Sequence, residues 1–175
     1  MEIATHYVQY FTATMHNWIH LLKEDEAKLI IIEALKFRIA KGQVKVGVYV
    51  IMPNHIHLIW RIQNAFELEE VQRDFLKFTA KEIIARIKKK DGQKKLEKLY
   101  VGLSDRQFQV WKRDSMSIDL FSEKFVNQKT DYIHNNPCQP HWNLASHPLE
   151  YRFSSAKFYE TGEDEFNFLT HLNDL

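Results

Sequence analysis

Two histidines one residue apart, His55 and His57, lie in the run His55-Ile56-His57-Leu58-Ile59-Trp60. In a strand, alternate side chains share a face, so both imidazoles point one way while Ile56 and Leu58 point into a core. Neutral imidazole is a common ligand of divalent metals, and two of them in a greasy strand are costly unless something binds them. The plainer alternative is a pair of half-buried polar residues, two of nine histidines in the chain. Far downstream, Asp131-Tyr132-Ile133-His134-Asn135-Asn136-Pro137 offers a phenol and an amide. A phenol has an ordinary pKa of about 10, and a nearby cation or base turns it into a nucleophile. Asn136, one helical turn after Tyr132, can bring a carbonyl oxygen to the same place. Lys129, three residues before Tyr132, falls within reach on that face and can contact phosphate. Each has a structural alternative. Tyr132 follows Phe125 by seven residues and can be a core residue with its hydroxyl at the rim. Asn136 can be a left-handed helix cap. Lys129 can be an ordinary surface lysine.

These groups need elements to hold them. Tyr7 to Thr14 is aromatic and β-branched and reads as a strand. From Glu24 to Ala40, Leu29, Ile32, Leu35 and Phe37 recur at helical spacing and Gly42 follows as a stop. Gln43 to Met52 and His55 to Arg61 read as antiparallel strands joined at Pro53-Asn54. Glu67 to Lys90 reads as a long helix with Leu76, Ala80, Ile83, Ile84 and Ile87 as its buried stripe. Asp91-Gly92 ends it, and residues 93–105 read as a mobile, Lys-rich connection. Arg106 to Trp111 alternates like a fourth strand. Ser122 is an N-cap for a helix that runs to Asn136, where Pro137 forbids continuation. This order predicts an α+β sandwich built on a central antiparallel four-stranded sheet, with helices on one face and a late helix carrying the tyrosine.

With 175 residues and 45% hydrophobic content, residues 1–175 are expected to form one domain with a sizeable core. A single cysteine, Cys138, excludes a disulfide framework and fits a reducing cytoplasm. Met1-Glu2 opens no signal peptide and no apolar run reaches membrane-spanning length, so no membrane partner is expected. The net charge is only +1, but it is unevenly spread. Residues 71–98 hold ten basic and four acidic side chains, a net +6 that leaves −5 for the remainder. Lys77, Lys81 and Lys88 share a stripe of the long helix with Arg73, making a candidate polyanion surface; a merely solvated helix face is the alternative. After Lys157 there is no further Lys or Arg, and Glu160, Glu163, Asp164, Glu165 and Asp174 form an acidic tail from about residue 160.

Together, Met52-Pro53-Asn54-His55-Ile56-His57-Leu58-Ile59-Trp60 and Asp131-Tyr132-Ile133-His134-Asn135-Asn136-Pro137 resemble the single-tyrosine HUH (IS200-like) transposases, most closely the bacterial REP-associated tyrosine transposases. The resemblance runs from about Tyr7 to Tyr159. It implies a ferredoxin-like fold, His55 and His57 as metal ligands with Asn136 as the third, and Mg²⁺ or Mn²⁺ as the ion. It further implies Tyr132 as nucleophile, forming a covalent 5′-phosphotyrosine link and leaving a 3′ hydroxyl. The implied partner is single-stranded DNA bearing a hairpin, for which charge and helix spacing offer Lys77, Lys81, Lys88 and Lys129 as contacts. Many relatives are dimers, so a homodimer is one possible assembly. The segment from Pro148 to Ser155 resembles the family's closing signature and reads as a structural clasp. The chain departs from the family at Cys138-Gln139-Pro140-His141-Trp142 and at Lys112-Arg113-Asp114-Ser115, which bears on how DNA is recognised.

Two other functions fit parts of the pattern. A non-catalytic single-strand nucleic-acid binder would use Tyr7, Tyr10, Phe11 and the basic helix for stacking and phosphate contact, and would need no Tyr132. A zinc hydrolase would use the two histidines but lacks a further ligand at a convincing spacing.

Overall fold

The computed structural model describes residues 7–90 and 92–175. Residues 1–6, including the Met1-Glu2 opening, and Asp91, expected with Gly92 to end the long helix, lie outside the described residues. Strands β1 (Gln9–Thr14), β2 (Val44–Ile51), β3 (His55–Ile62) and β4 (Met116–Asp119) form one sheet in the order β2-β3-β1-β4, with every neighbouring pair antiparallel. Helix α1 (Asp25–Ala40) links β1 to β2, and α2 (Leu68–Lys90) follows β3. This is the split βαβ arrangement expected of a ferredoxin-like sandwich.

The period-two pattern decides what each sheet face does. Phe11 and Ala13 on β1, with Ile56, Leu58 and Trp60 on β3, join the large core under α1 and α2. The alternate positions Tyr10, Val48, Val50 and Ile59 form a smaller core on the opposite face. That face is covered by α4 (Glu123–Asn135), which buries Ile133 there. Ser122 caps α4 as expected, its Oγ accepting the Phe125 backbone N–H at 3.3 Å. The histidines therefore occupy the face under the late helix, away from α1 and α2.

The structure corrects two sequence expectations. The fourth strand is Met116–Asp119, not Arg106–Trp111. Val110 and Trp111 are consecutive and both buried, which breaks the two-residue alternation; the stretch makes only single bridges, Phe108 to Tyr100 and Trp111 to Met15. The Trp111 indole instead donates to Thr79 Oγ1 on α2 at 3.0 Å. β4 is held beside β1 partly by side chains, Gln9 Nε2 donating to Asp119 Oδ1 at 2.9 Å. In α2 the fully buried line is Val71, Phe75, Thr79, Ile83 and Ile87; Leu76, Ala80 and Ile84 lie on its flank, only partly buried. Thr79 reads as polar in the sequence, yet its hydroxyl is satisfied by the Phe75 carbonyl at 3.0 Å and can be fully buried. Within the connection that follows, Gln93–Glu97 form a short helix, α3.

The segment from Pro148 to Ser155 clasps the free edge of β2. Phe153 O accepts the Ile51 N–H at 2.9 Å, Ser155 N–H donates to Tyr49 O at 3.0 Å, and the Tyr151 hydroxyl donates to Ile51 O at 2.7 Å. A short α-helix, α5 (Ala156–Thr161), follows. The acidic residues beyond 160 are docked: Asp164 accepts the Phe168 and Leu169 N–H groups, and Thr170 N–H donates to Val46 O at 2.9 Å. These contacts occupy the edge hydrogen bonds of β2 that a sheet partner would need. No helix among the described residues is long and apolar enough to cross a membrane.

Candidate active site

His55 and His57 point to the same face of β3, their rings 4.8 Å apart. Each has its Nδ1 engaged by the protein. His55 Nδ1 lies 2.7 Å from Asn54 Oδ1, while Asn54 Nδ2 donates to the Trp18 carbonyl at 3.2 Å. A carbonyl oxygen can only accept, so His55 carries its proton on Nδ1 and presents a lone pair at Nε2. His57 Nδ1 lies 2.8 Å from Thr12 Oγ1 and 2.9 Å from the Tyr10 hydroxyl, both on β1. Burial holds both imidazoles neutral, lowering His55 to about 4 and His57 to about 3. Burial also pushes the Tyr10 phenol up to about 12, so it stays protonated beside His57.

Asn136 lies between the two Nε2 atoms. Its Oδ1 is 3.3 Å from His55 Nε2 and its Nδ2 is 3.4 Å from His57 Nε2. The residue is 4% exposed and has φ −56°, ψ −45°, so it is no left-handed cap. It opens a short 3₁₀ turn, Asn136–Cys138, in which Pro137 ends the α-helical ladder. The neutral His55 Nε2 and the Asn136 carbonyl are both acceptors. Two imidazoles with the Asn136 amide set between their Nε2 atoms form a donor set suited to a divalent cation with open positions. The outward-held Nδ1 atoms supply the supporting shell such ligands need. Among the described residues no three His, Cys, Asp or Glu converge.

Tyr132 lies over this site from α4. Its ring meets His57 edge to face at 5.4 Å, and the residue is 49% exposed, so the phenol is reachable from solvent. Lys129 directs its ammonium at the Tyr10 ring (4.6 Å), Phe125 (5.5 Å) and Tyr132 (6.0 Å). His134, on the same helix, turns away, its Nε2 2.9 Å from Ser155 Oγ. The site opens into a cleft of about 380 Å³ lined by Thr12, Thr14, Trp18, Asn54, Gln139, His141 and Trp142 besides the four residues above.

The structure thus gathers His55, His57, Asn136, Tyr132 and Lys129, but not the other lysines. Lys77, Lys81 and Lys88 line a separate groove of about 1070 Å³ on the helical side, between α2 and residues 105–115. Of the stacking surface assigned above to a simple binder, only Tyr7 is exposed. Tyr10 is buried, Phe11 is wholly enclosed, and Tyr7 packs edge-on against Phe121 at 4.9 Å. Sequence reasoning missed Tyr10, Thr12 and Asn54 as partners of the histidines. Tyr10 and Thr12 share a strand face, but only the register Thr12↔His57 brings them there. It also missed the aromatic walls Trp18 and Trp142.

No family model matches the chain, and no curated protein sequence matches it. Its fold is shared with solved structures. A REP-associated tyrosine transposase bound to a REP hairpin aligns over 100% of this chain and 92% of its own, with a TM-score of 0.67 at 15% identity. A Deinococcus radiodurans R1 protein assigned as a transposase aligns over 77% of this chain and 95% of its own, with a TM-score of 0.50 at 13% identity. At these identities the likeness is one of fold, and it agrees with the α+β architecture and the resemblance read from the two motifs.

Proposed function

We infer that this chain is a transposase-type enzyme that nicks single-stranded DNA and transfers the cut strand through a covalent tyrosyl intermediate. The observation that carries the reading is the placement of an accessible Tyr132 phenol over two neutral imidazoles bridged by the Asn136 amide. Structural histidines do not require a solvent-open tyrosine and a buried asparagine at their Nε2 atoms.

A phosphodiester resists attack because of its own charge, so the site must neutralise charge and hold the phosphate in line. His55, His57 and Asn136 would hold Mg²⁺ or Mn²⁺, which when bound supplies Lewis acidity and a fixed point for a phosphate oxygen. The chain's own residues do the rest. The Asn54 carbonyl keeps His55 in the tautomer that presents Nε2, and the Tyr10 and Thr12 hydroxyls hold the His57 ring by its Nδ1. The Tyr132 oxygen attacks phosphorus, loses its proton to water in the open cleft, and forms a tyrosyl phosphodiester. The bond to the leaving oxygen breaks, and that oxygen takes a proton from water in the cleft to become a free hydroxyl on the other strand end. In the polarity implied by the resemblance, the link is 5′ and the free hydroxyl 3′. Lys129 places positive charge beside the tyrosine ring, where both phosphate and developing phenolate benefit. The reverse attack by a new hydroxyl rejoins the strand and restores Tyr132.

In this reading Tyr132 serves the histidines of its own chain, over whose His57 it lies. A hairpin-bearing single strand is the proposed DNA partner, by likeness to the hairpin-bound structure. The test is incubation of the chain with hairpin-bearing oligonucleotides and Mn²⁺. The expected product is a protein–DNA adduct that survives denaturation, and its absence with every single strand tried would refute the reading.

A further inference from the structure

The groove on the helical side and the cleft on the tyrosine side meet at one point. Residues 110–112 run along the end of β1: Val110 O accepts the His16 N–H at 2.7 Å and Lys112 N–H donates to Thr14 O at 2.8 Å. Lys112, which lines the groove, sets its ammonium 4.2 Å above the ring of Trp18, which lines the cleft. Trp18 is 61% exposed and follows Asn17 in a tight turn where both residues have φ 52°. A left-handed backbone is unfavourable for a bulky side chain, and an exposed indole held there gains nothing from burial. The same turn is anchored to the site, since the Trp18 carbonyl accepts from the Asn54 amide that orients His55.

The groove has the character of a strand path. Its floor is apolar, formed by Leu76, Ala80, Ile84 and Phe108. Lys77 and Lys81 stand along it and form no salt bridge with any described residue. From Lys77 to Lys88 the helix advances about 16 Å, room for at most about five phosphates at a stacked spacing of about 3.4 Å. A duplex offers such a surface only phosphates and would leave the floor wet. An unpaired strand can lay bases on the floor and phosphates on the lysines, the pattern of sequence-tolerant single-strand binding.

We propose that the groove between α2 and residues 106–113 carries the unpaired DNA strand to or from the histidine cleft, with Trp18 stacking on a nucleobase at the junction. This rests on the nicking reading for the identity of the cleft, but it is tested by binding alone. The full chain carrying Tyr132→Phe, which cannot form the covalent link, is titrated in EDTA with labelled oligothymidines of increasing length. Affinity should rise with length until the groove is filled. Trp18→Ala should bind the longer oligomers roughly tenfold or more weakly, and Trp18→Phe, which keeps a ring, should stay within about threefold of the parent. Lys77→Glu with Lys81→Glu should abolish the gain with length. Trp18→Ala binding as tightly as the parent would overturn the proposal. So would a duplex of equal length bound as well as the single strand, since the groove would then be a general phosphate surface. The two readings fail separately. A chain that forms no adduct, yet loses affinity on Trp18→Ala, refutes nicking and keeps the strand path; adduct formation with binding indifferent to Trp18 does the reverse.

Discussion

His55 Nε2 and Asn136 Oδ1 face each other at 3.3 Å, two acceptors with no proton between them. The Asn54 carbonyl fixes the imidazole proton on the far nitrogen, so the pair is mildly repulsive until a cation or a donor joins it. This relation separates a ligand from a helix cap. The φ of −56° at Asn136 is ordinary helical backbone, where glycine costs roughly 1 kcal/mol of stability and gains nothing. Asn136→Asp keeps an oxygen and adds charge, so Mn²⁺ affinity should hold or increase. Asn136→Gly should lower Mn²⁺ affinity along with melting temperature. Calorimetric titration of both variants decides: equal affinity in parent and Asn136→Gly reduces the site to two histidines and water.

Removing one oxygen tests the nucleophile. Tyr132→Phe keeps the edge-to-face contact with His57 and the half-exposed position on α4, so binding of single-stranded DNA should change by less than about threefold. The denaturation-resistant adduct should vanish. If the Phe variant still forms one, another tyrosine is the nucleophile and Tyr132 is only a wall of the cleft.

Much of this site was legible because two periodicities suffice to build half of it. Period two on β3 puts His55 and His57 on one face, and the 3.6-residue turn brings Tyr132 and Asn136 together on α4. What neither period carries is the register between strands far apart in the chain. Tyr10 and Thr12 became partners of His57 only through the pairing of β1 with β3, and Asn54 read as turn chemistry alone. On α2 the helical period finds Ile83 and Ile87 in the buried line but not Thr79, whose hydroxyl is satisfied inside its own helix. Leu76, Ala80 and Ile84, only partly buried, floor the groove instead. The fourth strand was assigned to the better alternating stretch, whereas pairing went to the four residues that β1 could reach.

The basic helix makes its own prediction, independent of Trp18. If Lys77, Lys81 and Lys88 each neutralise a phosphate, changing all three to Ala should flatten the log–log salt dependence of single-strand binding by about 0.7 for each phosphate no longer neutralised. Lys88 also lies 5.8 Å over the Phe108 ring, so its share can be smaller than that of the other two. Affinities measured across a range of salt concentrations give the slope directly. An unchanged slope in the triple variant would mean that this face meets only solvent.

The joint between α4 and the clasp at Ser155 should show itself in acid. His134 is half-buried against Tyr159 with its Nε2 on Ser155 Oγ, and desolvation, partly offset by Asp131, lowers its pKa from 6.5 to about 4. The native state therefore disfavours the protonated form. Above pH 6.5 both native and unfolded chains hold the neutral imidazole, and stability does not depend on this group. Between 6.5 and about 4 the unfolded chain takes up the proton and the native chain does not, so stability falls as pH falls, at up to about 1.4 kcal/mol per unit for one such group. His55 and His57 contribute with the same sign and over a similar window. His134→Gln keeps an amide donor for Ser155 but cannot titrate. Urea unfolding at a series of pH values, in EDTA, should give a shallower acid slope for this variant than for the parent, by close to one proton. Parallel curves would show that His134 opens to water before the chain unfolds, and that the joint between α4 and the clasp at Ser155 is looser than its hydrogen bond suggests.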